Sequence, residues 1–152
     1  MRKKIFSRFA LKKVLDALKK KGKRIVFTNG CFDLLHPGHL KSFADAKRSG
    51  DILVVAINSD KSVKKIKGPT RPVIDEKGRA SMVAALEIVD YVTVFNEETP
   101  YELIKFLRPN ILAKGGDWRL DQIIGREFVD KVVRITLKPG FSTTGIIKKI
   151  AC

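Results

Sequence analysis

Short apolar runs alternate with stretches of helical periodicity along this chain. The run at 51–58 is apolar at nearly every position, which is typical of a parallel strand covered on both faces. Similar runs predict further strands at residues 24–28, 91–95, 111–113 and 132–137. Helices are predicted between them, over residues 37–49, 78–89, 99–107 and 142–150. Neither a helix nor a strand is predicted for the lysine-rich residues 61–67 or for the loop at 68–72. This alternation predicts an α/β protein with a doubly wound, parallel, five-stranded sheet.

The first 24 residues differ from the rest of the chain in charge. They hold eleven Lys and Arg residues but one acidic residue, and so contribute +10 to the formal net charge of +15. Apolar residues recur at helical spacing from Leu11 to Leu18, and Ser7 is placed to cap, which predicts an amphipathic helix over 7–21. We interpret its basic side as the solvated face of a docked helix. Binding of nucleic acid or of a membrane surface is the alternative.

Length and composition limit the classes of protein that fit. The chain has 152 residues, enough for one domain with a core, and we expect 1–152 to form a single domain. No apolar run is long enough to cross a membrane, and no apolar signal segment follows the first residues. Cys31 and Cys152 suggest neither a zinc site nor a disulfide framework, so we expect a cytoplasmic protein.

The most informative stretch is residues 28–39, with the sequence TNGCFDLLHPGH. The Asn-Gly pair ending at Gly30 signals a turn, because glycine accepts a positive φ. Pro37 suits the first position of a helix, which makes His36 the cap and places His39 on the same side. The free N–H groups and the positive dipole end of such a helix bind anions, phosphate above all. A capping histidine beside a second, satisfied histidine is the alternative.

Other polar segments follow predicted strands. Residues 58–60 and 114–118 do so, and the carboxyl ends of parallel strands meet at one edge of a sheet, so we expect one crevice. Residues 142–144, Ser-Thr-Thr, predict a second anion site at a helix start, or a plain cap. Lys67, and with it Lys61 or Lys64, could reach a phosphate or solvent. Trp118 could stack on a base or simply pack.

These segments resemble one family closely. The H-x-G-H pattern is that of the nucleotidyltransferase superfamily, and the residues before it resemble its cytidylyltransferase-like branch. With AINSD, GPTRPV, LAKGGDW and FSTTGIIKKI, residues 22–150 resemble the D-glycero-β-D-manno-heptose 1-phosphate adenylyltransferases in their stand-alone form. The resemblance implies a Rossmann-like nucleotidyltransferase fold. It also implies transfer of AMP from ATP, with Mg²⁺, to the sugar phosphate, giving ADP-heptose and pyrophosphate for the lipopolysaccharide core. We expect a homodimer with neither membrane nor nucleic acid as a partner.

The resemblance also carries residue roles. The catalytic residues would be His36, His39 and Lys67. The nucleotide-binding residues would be Thr28, Asn29, Gly30, Cys31, Phe32, Gly38, Lys114, Gly115, Asp117, Trp118, Phe141, Ser142, Thr143 and Thr144. The residues that bind the acceptor would be Asn58, Asp60, Arg71 and Arg79, and we assign no metal ligands.

The chain departs from the pattern of related enzymes at one position where they carry a positively charged residue. Related glycerol-phosphate enzymes carry an arginine just before Ser-Thr-Thr, where this chain has Gly140 and Phe141. Lys138 or Arg79 would have to take that role. A cytidylyltransferase acting on glycerol 3-phosphate or a similar alcohol phosphate is the alternative function. A basic nucleic-acid-binding module is the alternative from another class.

Overall fold

The computed structural model describes residues 3–116 and 118–152 and contains a single parallel sheet among them. Its strands are β1 Ile25–Gly30, β2 Ile52–Asn58, β3 Tyr91–Phe95, β4 Ile111–Gly115 and β5 Lys131–Ile135. The helices are α1 Arg8–Lys20, α2 Pro37–Lys47, α3 Asp60–Lys67, α4 Glu76–Ala84, α5 Tyr101–Leu107 and α6 Thr143–Ile150. The strand order β3-β2-β1-β4-β5 confirms the predicted doubly wound sheet.

Helices cover both faces of the sheet and divide the core in two. On one face α1 and α5 pack against the strands, with Leu11 and Leu15 of α1 fully buried. On the other face α2 and α4 do so through side chains such as Phe43 and Val83. β2 is buried from Leu53 onward, as its unbroken apolar run predicts. The predicted docking of the N-terminal helix, with Ser7 accepting a hydrogen bond from the N–H of Ala10, is confirmed.

The segment before α1 lies along the outer strand β3. The N–H of Val92 donates to the carbonyl of Lys4, and the N–H of Phe6 donates to the carbonyl of Val92. The ring of Phe6 meets that of Tyr91 edge to face at 5.7 Å. The beginning of the described chain therefore extends the sheet by a short parallel bridge.

Three predictions about elements were wrong. Residues 60–67 form a helix, α3, because Ser59 accepts a hydrogen bond from the N–H of Ser62 and so caps it. α4 begins at Glu76, ahead of Gly78, and ends at Ala84 rather than Val89. The predicted turn at Asn29 and Gly30 is strand instead, since both residues pair with β2. No helix among residues 3–116 and 118–152 is long and apolar enough to cross a membrane.

Candidate active site

A cleft of about 730 Å³ opens at the carboxyl ends of the strands. It lies where the strand order reverses between β1 and β4, which is where doubly wound sheets bind ligands. The ends of β1, β2 and β4 contribute to it, together with the first turns of α2 and α6 and the loop after β3. The segments after β1, β2 and β4 therefore meet in one cleft, although of residues 58–60 Asn58 alone lines it.

Two histidines stand at the start of α2. His36 is the N-cap, and its Nδ1 accepts a hydrogen bond of 3.1 Å from the N–H of Gly38. Pro37 occupies the first turn, as predicted, because its missing N–H has no partner to lose there. The rings of His36 and His39 stack with centroids 3.8 Å apart. The cap fixes Nδ1 of His36 as an acceptor, so the neutral ring carries its proton on Nε2.

Burial favours the neutral form of both imidazoles. Burial lowers the pKa of His36. Burial and the neighbouring His36 lower the pKa of His39 to about 4. Nδ1 of His39 is buried and has no hydrogen-bond partner among the described residues. Contacts with other rings hold His39 instead: the stack on His36 and an edge contact with Phe32 at 5.3 Å. Two neutral rings can approach each other this closely without repulsion between like charges.

The loop after β1 is strained at Phe32 rather than at Gly30. Phe32 has a φ of 48°, in the left-handed region, and its ring also packs against Phe43 at 5.0 Å. Gly30 is needed for a different reason from the one predicted. A Cβ at Gly30 would lie 2.8 Å from the ring of Phe32. The glycine lets the aromatic ring fold back over the strand end beneath His39.

Asp33 ties this loop to a second one. Its buried carboxylate accepts hydrogen bonds from the N–H groups of Val73 and Ile74 and from Nε of Arg71. Burial disfavours the charged form, but the two backbone donors and the Arg71 guanidinium outweigh that effect, so the pKa of Asp33 is below its usual range. The ion pair places Arg71 in the wall of the cleft.

Arg79 and Asp60 lie outside the lining of the cleft. The side chain of Arg79 is 0% exposed, and its guanidinium donates to the carbonyls of Ile74 and Cys31 and to the carboxylate of Asp60. These partners occupy all three nitrogens of the group. The predicted contact between Arg79 and the acceptor is therefore replaced by a supporting role beneath the loop that carries Cys31.

The opposite wall is built around the start of α6. Ser142 is the N-cap and accepts a hydrogen bond of 3.0 Å from the N–H of Gly145. The hydroxyl of Thr143 donates to the carbonyl of Leu34, which joins this helix to the histidine loop. Phe141 lies outside the lining but is nearly parallel to the ring of His36 at 6.2 Å. The positive ends of α2 and α6 thus face one space.

A lysine and the one tryptophan of the chain line the β4 side of the cleft. Nζ of Lys114 lies 5.6 Å from the centroid of the Trp118 ring, and burial lowers the pKa of this lysine. Trp118 is 47% exposed, so its ring is available to a ligand. Asp117, which the sequence analysis assigned to the nucleotide, lies outside the described residues.

Most of the residues selected from the sequence do meet in this cleft. Those that line it are Thr28, Asn29, Gly30, Cys31, Phe32, His36, Gly38, His39, Asn58, Lys67, Arg71, Lys114, Gly115, Trp118, Ser142, Thr143 and Thr144. Sequence reasoning missed residues 98–100, which follow β3 and also line it. The rule that ligands bind at the carboxyl ends of strands could have found them.

This chain is similar to known proteins over most of its length. The model for cytidylyltransferase-like proteins matches residues 27–149. The bifunctional protein HldE of Syntrophotalea carbinolica is 50% identical over 151 residues, which are 97% of this chain and 31% of that protein. The HldE of Campylobacter jejuni subsp. doylei is 54% identical over 137 residues, 90% of this chain and 30% of that protein. The chain thus spans about a third of the length of these curated relatives.

Solved structures agree with this fold. A lipopolysaccharide core biosynthesis protein from Thermoplasma volcanium has a TM-score of 0.65 and 28% identity, covering 77% of this chain and 99% of the other. A pantoate-beta-alanine ligase from Francisella tularensis has a TM-score of 0.64 over 99% of this chain and 77% of the other. At 17% identity, the ligase supports the fold alone. With its family match, its sheet and its paired histidines at the start of α2, this chain belongs to the cytidylyltransferase-like family.

Proposed function

We propose that this chain is an adenylyltransferase that moves AMP from ATP to D-glycero-β-D-manno-heptose 1-phosphate. The products are ADP-heptose and pyrophosphate, for synthesis of the lipopolysaccharide core. Transfer of a nucleotidyl group is supported above all by one observation. The stacked His36 and His39 at the start of α2 face the start of α6 across the cleft. The choice of adenine as the base and of heptose as the sugar is based on similarity to known proteins. The chain is about half identical to HldE proteins, and the Thermoplasma volcanium protein belongs to lipopolysaccharide core biosynthesis.

The reaction needs positioning and charge stabilisation more than acid or base chemistry. A phosphate oxygen of the acceptor attacks the α-phosphorus of ATP, and the bond from that phosphorus to pyrophosphate breaks. The attacking phosphate is already ionised at neutral pH, so no residue has to remove a proton. His36 and His39 would each donate an N–H to phosphate oxygens on which negative charge grows in the transition state. Lys67 would approach the same oxygens as a point charge.

The two halves of the cleft suit different ligands. Beyond β4 and β5 the half-exposed ring of Trp118 and the start of α6 suit a base and phosphates. Beyond β2 and β3 polar side chains, among them Asn58 and Arg71, suit the hydroxyl groups and phosphate of the acceptor. Lys138 lines the nucleotide half, whereas Arg79 lies outside the lining and each nitrogen of its guanidinium already donates a hydrogen bond. We therefore assign to Lys138 the role that an arginine has in the glycerol-phosphate enzymes.

We expect Mg²⁺ to enter this site bound to the phosphates of ATP. No group of three His, Cys, Asp or Glu residues able to hold a metal occurs within the described part of the chain. The buried carboxylate of Asp33 is occupied by Arg71 and two backbone N–H groups. Mg²⁺ commonly keeps several waters and binds substrate phosphates rather than an all-protein cage. When bound to the triphosphate, it would neutralise charge on the leaving pyrophosphate.

The proposal extends to organisation and setting. We propose that residues 1–152 form one nucleotidyltransferase domain, and that it acts as a homodimer in the cytoplasm, where ATP is available. The shared sheet, with cores on both faces, supports a single folding unit. The docking of α1 through Leu11 and Leu15 supports a structural role for the basic segment rather than nucleic-acid binding.

A substrate panel tests the proposed function. Pyrophosphate release is measured with ATP and CTP, each against heptose 1-phosphate and glycerol 3-phosphate. ATP with heptose 1-phosphate should be strongly preferred, because a wrong base leaves buried polar groups unpaired at about 1–3 kcal/mol per group. If CTP matches or exceeds ATP, or if glycerol 3-phosphate is the better acceptor, the cytidylyltransferase function replaces this one.

A further inference from the structure

The loop between β3 and α5 forms one wall of the cleft. Glu98, Thr99 and Pro100 line that wall. Glu97, directly before them, is not among the lining residues, and its carboxylate meets the N-terminal helix instead. The lining residues therefore depend on how Glu97 is held.

Glu97 is bound by Arg8, the first residue of α1. Nη2 of Arg8 donates to Oε2 of Glu97 at 2.8 Å, and Nη1 lies 2.8 Å from Oε1. This two-point contact between guanidinium and carboxylate fixes orientation as well as distance. Both side chains are partly buried. The hydrogen bond to Arg8 lowers the pKa of Glu97, and the same bond raises the pKa of Arg8.

A second support holds the backbone of the same residue. The hydroxyl of Ser62, in α3, donates to the carbonyl of Glu97 at 2.8 Å and accepts from Nδ2 of Asn58 at 2.9 Å. Asn58 lines the cleft. Glu97 is thus clamped by its backbone to α3, and through Ser62 to the end of β2, and by its side chain to α1.

The N-terminal helix is a firm anchor for this clamp. Leu11 and Leu15 are fully buried, and Lys4 and Phe6 bond to β3 just before the helix. Yet α1 lies ahead of residues 27–149, which the family model matches. One of the two supports of this wall, the Arg8 side chain, therefore comes from outside the matched region.

We infer that Arg8 is a positioning residue for the acceptor. Through Glu97 it holds Glu98 and Thr99, the next two residues of the wall, in the arrangement that receives the acceptor, without touching the acceptor itself. Pro100, which follows them, also borders Lys114 and Trp118 on the nucleotide side. The N-terminal helix is then part of the substrate-binding machinery as well as a cover for the sheet. The assignment of this wall to the acceptor rests on the proposed function, whereas the clamp on the loop does not.

The test compares variants of the full chain. Arg8→Gln removes the charge, Arg8→Lys keeps it but loses the two-point contact, and Glu97→Gln weakens the pair from the other side. Lys12→Gln is the matched control, because Lys12 lies one turn later in α1 and pairs with Asp16 of the same helix. Steady-state kinetics use the nucleotide and acceptor that the wild-type protein turns over best in the panel. Amide hydrogen exchange of residues 96–99 is measured without substrate.

Arg8→Gln should raise the KM for the acceptor about tenfold, because a wall that is no longer held loses about one hydrogen bond's worth of binding, and tenfold corresponds to about 1.4 kcal/mol. The KM for the nucleotide and the kcat should stay within about twofold, and Arg8→Lys should recover part of the loss. Exchange at residues 96–99 should quicken in Arg8→Gln but not in Lys12→Gln. The double variant Arg8→Gln/Glu97→Gln should be no worse than Glu97→Gln alone, since Glu97→Gln already breaks the pair with Arg8 and also alters the acceptor of the Asn96 N–H.

Different failures have different meanings. Unchanged exchange and unchanged KM values in Arg8→Gln would overturn the positioning role. Equal increases in both KM values with a lowered Tm would reduce Arg8 to a general stabiliser and also overturn it. Failure of the wild-type protein to use heptose 1-phosphate would overturn the proposed function, while the exchange data would still decide whether Arg8 clamps the loop.

Discussion

Adding one methyl group at Gly38 should lower the activity of the enzyme while leaving its stability nearly unchanged. It is buried in the first turn of α2, between the two histidines. A Cβ at this position would lie 2.9 Å from Cε1 and Nδ1 of His36 and 3.4 Å from Cβ of Phe141. The substitution Gly38→Ala therefore pushes against the ring that caps the helix.

The size of the effect follows from these distances. Carbon contacts are ordinarily no closer than about 3.4 Å, so the imidazole of His36 must retreat by roughly 0.5 Å. That stretches the 3.1 Å cap bond beyond hydrogen-bonding distance, at a cost of about 1 kcal/mol in the free energy of unfolding. Alanine regains a similar amount, about 1 kcal/mol, because it favours the helix more than glycine. Stability should hardly change, whereas moving a phosphate donor this far should lower kcat about tenfold.

The assay is pyrophosphate release at saturating substrates, with thermal unfolding measured in parallel. Gly22→Ala is the control, since its added Cβ would have no atom within 4 Å among the described residues apart from its chain neighbours, but its φ of 76° disfavours alanine. It should lose roughly 1 kcal/mol of stability with kcat unchanged. Wild-type kcat in Gly38→Ala would refute the argument, because the ring of His36 would then have moved without consequence.

Three further outcomes follow from the same site. His36→Ala and His39→Ala should each lower kcat about a hundredfold with an unchanged circular dichroism spectrum, and near-normal turnover in both would remove the phosphate-binding role. The pKa of His39 falls from 6.5 to about 4 on folding, so the unfolded chain takes up this proton first. The free energy of unfolding should therefore decrease as the pH falls through that interval. Urea titrations should show a smaller decrease for His39→Gln, and an equal slope would contradict the assignment. Asp33→Asn should cost about 3 kcal/mol, seen as a lower Tm, because it leaves Arg71 and two N–H groups poorly paired in a buried place. A Tm within a degree of wild type would refute that cost.

The sequence predicted those parts of the site that depend on local chemistry. Proline at the first helical position, with a polar residue before it, is enough to place the cap at His36 and the neighbouring His39. The strands were found because parallel strands buried on both faces are apolar at consecutive positions. Their order brings the polar residues that follow them to one edge, which is why most of the selected residues line the cleft.

The remaining features depend on contacts that no local pattern contains. α3 is an exception, because its cap at Ser59 and the apolar pair Val63 and Ile66, three residues apart, were local signals that the abundant lysines obscured. Arg79 was assigned to the acceptor because its charge suits a phosphate. In the structure it is buried, and it donates hydrogen bonds to Ile74, Cys31 and Asp60 instead. Arg8 and Glu97 are 89 residues apart, and each alone is an ordinary charged surface residue. Such pairings become visible only when the tertiary structure is known.

The short bridge between residues 4–6 and β3 has a consequence for association between molecules. The outer strand of a sheet presents backbone N–H and C=O groups that can pair with a strand from another chain, which is a route to aggregation. Here Lys4 and Phe6 take up the N–H and C=O of Val92 from within the same molecule. A shortened protein beginning at Ser7 would keep α1, Arg8 and the whole cleft while leaving this edge uncovered. Its turnover should change little, because the buried Leu11 and Leu15 still hold α1 against the sheet. The concentration at which it stays monodisperse should fall, because the outer edge of β3 is then uncovered.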